Sequence, residues 1–387
     1  MSNKISGKKK KNILKKIKAA PILRIIFSNL KENHLLEIIK YNKNLQKKGG
    51  KNLGDYKRIY FEIEICLSFS KNIFGKFINT IKDKECIFHF YSNDSMKEIE
   101  RNEITKEDKI ERVKIIINGR INSLSDLFKN CKCIKRINFI KMNRKYIKDI
   151  SGIFEGCTSL EEINLKNLKA DNVENMGSMF KDCMRLETIN LDNLKASKVE
   201  NMSYMFYNCS SLKEINLSNI KSEKLKNISH MFMKCESLKK IDLFNFYTKN
   251  VLDMSFLFYG CSSLKNIDLS FFDTRQVTAM EFMFNDCSSL EEINLDNFIT
   301  VKTITMDSMF SGCSLLEELN LSSFNTDKVK SMSYMFYNCR SLINLNLQNF
   351  NSFNLVNFKK MFFGCISLQN INCNDKFIIN KFINKNL

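Results

Sequence analysis

The chain has 387 residues, 44% of them hydrophobic and 27% charged, with one Pro, no Trp and 14 Cys. This composition can fill a packed core and excludes disorder throughout. The formal charge of +19 is uneven, because residues 1–123 hold 28 Lys+Arg against 14 Asp+Glu while the rest is nearly neutral; a nucleic-acid or anionic-membrane role is therefore open only to the N-terminal segment.

Residues 1–20 form a basic tail with eight lysines between Lys4 and Lys18. Nuclear targeting, RNA contact and attraction to anionic lipid are open to it, beside the plain reading of a solvated terminus. The apolar run from Ala19 to Leu23 is cut by Arg24, short of the ~7–15 residues a secretory signal needs. No stretch reaches the ~18–20 apolar residues of a membrane-spanning helix. The expected location is intracellular and cytoplasmic, or the cell surface if the N-terminus is incomplete.

Residues 21–50 read as a helical hairpin. Pro21 suits a helix start, and Ile22, Leu23, Ile25, Ile26, Phe27 and Leu30 follow. A polar break at 31–33 leads into Leu35, Leu36, Ile38, Ile39 and Leu45. The segment resembles an F-box, which implies docking on a Skp-type ubiquitin-ligase subunit; an ordinary two-helix element is the alternative. Residues 51–123 read as a small strand-rich capping domain. Ile59, Phe61, Ile63, Ile65 and Leu67 alternate with polar residues, and Val113, Ile115 and Ile117 do likewise before Asn118-Gly119. Between them, 92–111 reads as too charged to be buried.

From 124 to 373 one unit recurs ten times. Cys131, Cys157, Cys183, Cys209, Cys235, Cys261, Cys287, Cys313, Cys339 and Cys365 lie on an unbroken 26-residue grid. Counting from each ladder cysteine, position −3 is always Phe, +3 is Leu after the first unit, +6 is Ile or Leu, and +7 is Asn or Asp. In Leu212-Lys-Glu-Ile215-Asn-Leu217 the apolar residues alternate as a one-face-buried strand requires. Val199, Met202, Met205, Phe206 and Cys209 share one side at helical spacing, so a short helix is expected there, capped by Asn201 or Ser203. Neither half can bury its apolar face alone, and stacking neighbours solves that.

The period and the L-x-x-[IL]-x-L signature belong to leucine-rich repeats. More narrowly, MFxxCxxLxx[IL][ND]Lxx[FL] resembles the BspA-type repeat of bacterial and protist surface proteins. The expected fold is an α/β leucine-rich-repeat solenoid. Parallel strands form one continuous concave sheet, short helices line the other side, a small α+β domain precedes it, and 374–387 is a C-terminal tail or cap. The ladder cysteines are expected to be buried, reduced and structural, because metal sites need clustered pairs and only Cys131-x-Cys133 comes close.

Chemistry is sparse. His34, His89 and His230 have no partner at metal or nucleophile–base spacing, and no Gly-rich phosphate loop is present. No cofactor, metal or small-molecule substrate is inferred, and the chain is not expected to be an enzyme. Packing does not dictate positions +5, +7, +9 and +10, which are expected to project from the sheet. Phe244 and Phe271 stand there amid polar residues, ringed by Lys240, Asn266 and Asn297, as an interface anchor would. With Glu214, Glu292, Asp296 and Glu318, which vary along the same face, they are the candidate partner-binding residues. The leading expectation is a scaffold binding a protein on the concave face; the family resemblance implies a surface adhesin instead, and the F-box resemblance a ubiquitin-ligase adaptor.

Overall fold

In a computed structural model the described residues are 62–80, 86–93, 95, 97–119, 121–142 and 146–384. The basic tail and the F-box-like hairpin lie outside them. Strands β1 (Ile63–Phe69), β3 (Ile87–Ser92), β4 (Glu98–Ile99), β6 (Arg112–Asn118), β7 (Ile134–Met142) and β8 (Glu162–Asn164) form one sheet in the order β4-β3-β6-β1-β7-β8. Its alternation of Ile63, Ile65 and Leu67 with Val113, Ile115 and Ile117 buries one face completely. β1 runs antiparallel to both β6 and β7, whereas β7 pairs parallel with β8, so the first rung continues the N-terminal sheet. A hairpin-like pair, β2 (Gly75–Lys76) and β5 (Glu103–Ile104), lies beside it. Ile104 is buried and Ile99 and Ile110 are half-buried against the core, so the charged stretch 92–111 is not wholly outside it, and the Asp108 carboxylate is only 11% exposed.

Beyond β8 the chain is a solenoid of parallel rungs. Strands β9 (Glu214–Asn216) and β10 (Lys240–Asp242) pair, as do β11 (Glu318–Asn320), β12 (Asn344–Leu347) and β13 (Asn370–Cys373), all with a 26-residue offset. The sheet is therefore broken into patches rather than continuous. The unbroken seam lies on the opposite side, where parallel bridges link Ser123, Asp149, Asn175 and their equivalents through to Asn357.

The expected short helices are replaced by turns. Positions −5 and −1 before each ladder cysteine have positive φ in all ten rungs, from Asp126 and Asn130 to Lys360 and Gly364. Left-handed residues at −5 and −1 bend the chain so that successive N–H groups point in different directions. Phe128 N and Asn130 N donate to Ile153 O and Glu155 O of the next rung, while Lys129 N and Cys131 N close turns onto Asp126 O and Phe128 O. Inward positions are the same as a helix would give, so the core pattern survives although the path differs.

That core is a set of columns. The −3 rings from Phe128 to Phe362 stack at 5.3–6.0 Å with planes within 21°. A second column, Phe246, Phe272, Phe298, Phe324 and Phe350, runs at 6.1–6.5 Å. Met and Cys columns fill the gaps and are fully buried. At the far end helix α1 (Lys376–Ile383) is capped by Asp375, whose carboxylate accepts from Ile378 N, and lays Phe382 against Phe362.

Candidate functional site: the strand face

Asn and Asp at +7 organise this face. Asn164, Asn190, Asn216, Asp242, Asp268, Asn294, Asn320 and Asn346 each accept, through Oδ1, the backbone N–H of the residue two further on, at 2.8–3.1 Å. These Asx turns start the bend out of the strand face on eight of the ten rungs. The monotony of the column is thus a folding requirement. At Asp268 the Ser270 N–H holds the carboxyl below its ordinary range.

The +10 column carries a second device. Asn297 donates its amide to Leu269 O and Phe272 O at 3.1 and 2.9 Å, and Asn167 donates to Phe139 O and Ile140 O. Each such Asn clamps the turn of the preceding rung. Phe271 occupies this position on its rung and has no amide to give. The turn it should clamp, closed by Phe246 N to Leu243 O at 2.9 Å, contains Asn245 with φ 60°, the only +10 residue that is left-handed among those described. Losing the donor and flipping the turn go together physically, since a carbonyl without its donor is better turned to water.

This flipped turn carries the apolar patch. Phe244 is 56% exposed, Phe271 is half-buried, and their rings meet edge-on at 4.9 Å. Tyr247, exposed at the same turn, donates its hydroxyl to Asn245. Sequence reasoning passed over Tyr247; its signal was an aromatic at +12, where the three preceding rungs carry Lys169, Lys195 and Lys221.

The other candidates divide. Glu214 and Lys240 are register neighbours on β9 and β10, and with Thr188, Ile215 and Asp242 they line a depression of about 280 Å³. Glu292 is exposed and Asp296 accepts from Asn320 at 3.1 Å. Glu318 lies farther along, in a separate depression, bonded to Asn344 at 3.0 Å. The rim residue Asn297 is committed to the backbone clamp rather than to a partner.

Two histidines are described. His89 sits 2.8 Å from Glu98. His230 is stacked between Tyr204 and Phe256, at 4.3 and 4.5 Å, and burial lowers its pKa although Asp253 pulls the other way. Among the described residues no group of three or more His, Cys, Asp or Glu is placed to hold a metal, and no helix is long and apolar enough to cross a membrane.

No curated protein matches this sequence. Among solved structures the chain is similar to one described as "Crystal structure of TLR13-ssRNA13 complex", at 16% identity and a TM-score of 0.30, over 62% of this chain and 32% of the other, so it spans about a third of that protein's length. A family model matches overlapping stretches 122–243, 186–298, 226–318 and 253–377, which together cover about two thirds of the sequence. The repeats just described are what that model matches, and the chain belongs to the family described as "Mycoplasma protein of unknown function, DUF285".

Proposed function

We propose that the protein is a non-enzymatic scaffold that binds another protein on its strand face, centred on Phe244 and Phe271. The observation that carries this is the exposed Phe244 ring, packed edge-on against Phe271 with exposed Tyr247 beside it, on a face lined mostly by polar residues. A solvated aromatic cluster in a largely polar surround is the layout of an interface anchor. Glu214 and Lys240 are exposed on neighbouring rungs of the same face and offer opposite charges to a partner.

Affinity purification from the protein's own cells, with wild type and Phe244→Ser in parallel, supplies the test. The variant is expected to lose its partner, with affinity reduced by ~2 kcal/mol or more. Its melting temperature should be nearly unchanged, whereas Phe206→Ala in the stacked core should cost ~3–5 kcal/mol of stability. Full affinity in both Phe244→Ser and Phe271→Ser would remove this patch from consideration. The likeness of the repeat motif to BspA-type proteins supports a surface adhesin as a second reading, and display on intact cells would favour it. Skp-type co-purification dependent on residues 21–48 would favour an F-box adaptor.

A further inference from the structure

A second recessed surface lies well away from Phe244, where the N-terminal sheet meets the first three rungs. It is a groove of about 760 Å³ running from the end of β1 across to Arg185. Its floor is apolar: Phe69, Ile73 and Ile110 pack partly against the core, and Phe74 is 43% exposed. Its walls are cationic. Lys71, Lys106, Arg112 and Arg185 line it, all exposed and all without an ion-pair partner among the described residues. Some lysines elsewhere on the solenoid pair rung to rung, as in Lys148–Glu174, Lys213–Glu187 and Lys226–Glu200. Of the three carboxylates in the groove, Asp108 is taken by Arg101 and Glu161 by Lys135, leaving Glu111. Ser70 also lines the groove, and its hydroxyl oxygen is buried without a hydrogen-bond partner.

We propose that this groove receives an acidic peptide segment of a partner protein, in which carboxylates alternate with large apolar side chains. Four unpaired cations over an apolar floor call for an occupant with both characters. Side chains on an extended segment point alternately to opposite sides, which places carboxylates on the walls and apolar groups on the floor. A single-stranded nucleic acid fits less well, because it needs a run of stacking rings and the groove exposes only Phe74. The site shares no residue with the Phe244 patch and stands or falls without it.

Fluorescence anisotropy on the full chain decides the matter, using a short labelled peptide repeating Glu-Phe, its Lys-Phe counterpart, and an oligouridylate. Saturable binding of the acidic peptide is expected, weakening with salt. Arg112→Glu with Arg185→Glu should reduce it at least about tenfold at unchanged melting temperature, while Phe244→Ser leaves it intact. Should the double variant fail to fold, Lys71→Glu with Lys106→Glu, both on exposed loops, makes the same comparison. The proposal is overturned by absence of saturable binding, by charge reversal without effect, by equal binding of the Lys-Phe peptide, or by preference for oligouridylate.

Discussion

Each ladder cysteine after the first reaches across a rung boundary. From Cys157 to Cys365 the thiol donates to the carbonyl of the preceding rung's −3 Phe, at 2.9–3.2 Å. That carbonyl already accepts the N–H of its own rung's cysteine, so the thiol fills its second lone pair. Burial pushes the thiols up, Cys287 to about 12, which keeps the donor protonated and the sulfur unreactive. Position and burial were legible from the 26-residue grid; the hydrogen bond was not, because the acceptor is backbone and leaves no mark in the sequence. A different single residue breaks its column. Glu281 stands where six rungs carry Ser, and its Oε2 is buried without a partner. Burial raises its carboxyl above the ordinary 4.5, and Asp253 and Asp307 add to this. A folded-state pKa above the unfolded one gives stability that is present at low pH and lost as pH rises through the folded value. Glu281→Gln should therefore stabilise the protein at neutral pH by on the order of 1 kcal/mol. The gain should vanish below about pH 4, where both states are protonated. Denaturant titrations at the two pH values check this, and a neutral-pH loss on substitution would refute it.

The turn segment shows how one pattern can serve two elements. Inward residues spaced 3, 3, 1 and 3 fit a short helix, and they equally fit consecutive turns, each closed onto the residue three before, with left-handed residues at −5 and −1. The sequence held the discriminating sign at −1, where Gly156, Gly260, Gly312 and Gly364 share the column with Asn130, Asp182, Asn208, Asp286 and Asn338, the residues that tolerate a left-handed backbone; only Lys234 departs. A helix interior would not repeat such residues on nine of ten rungs. At Gly312 the requirement is double: φ is +75°, and an added Cβ would run into the Asp286 carboxylate beneath it. The strands were easier to read, since alternation with period two has no rival over six residues; the +7 Asn column was visible but its turn-making role was not. At the near end of the turn seam, Asn79 does what a further rung would do. Its N–H donates to Leu127 O at 2.8 Å, and its Nδ2 to Asp126 O and Lys129 O at 2.9 and 2.8 Å. Asp126 O keeps the Lys129 N–H, so Asn79→Ala leaves Lys129 O without an N–H donor and should cost ~1–3 kcal/mol in chemical denaturation. An unchanged midpoint would mean that water replaces the amide at no cost.

Across the whole molecule the two ends are treated differently. In a solenoid each rung is stabilised by its neighbours, so the ends are the weak points. Every interior rung passes the N–H groups of −5, −3 and −1 to the carbonyls of the next, as Tyr334, Phe336 and Asn338 do to Lys359, Met361 and Phe363. In the last rung the equivalents are Lys360, Phe362 and Gly364, and none has an acceptor among the described residues. Helix α1 covers this end with apolar surface, setting Phe377 edge-on to Phe358 at 4.7 Å and Lys381 over the Phe358 ring at 4.5 Å. It hides rings but offers no carbonyl to the row of donors. Amide exchange should therefore be fastest in the turn segment of the last rung and slowest in the middle, at Phe206, Phe232 and Phe258. Opening should also begin at the last rung, because losing α1 there breaks no hydrogen bond to that row. Residue-resolved hydrogen exchange under native conditions tests both statements. Protection of Lys360, Phe362 and Gly364 equal to that of Phe232 would show that this end is capped after all, and that the array opens from the Asn79 side or as one unit.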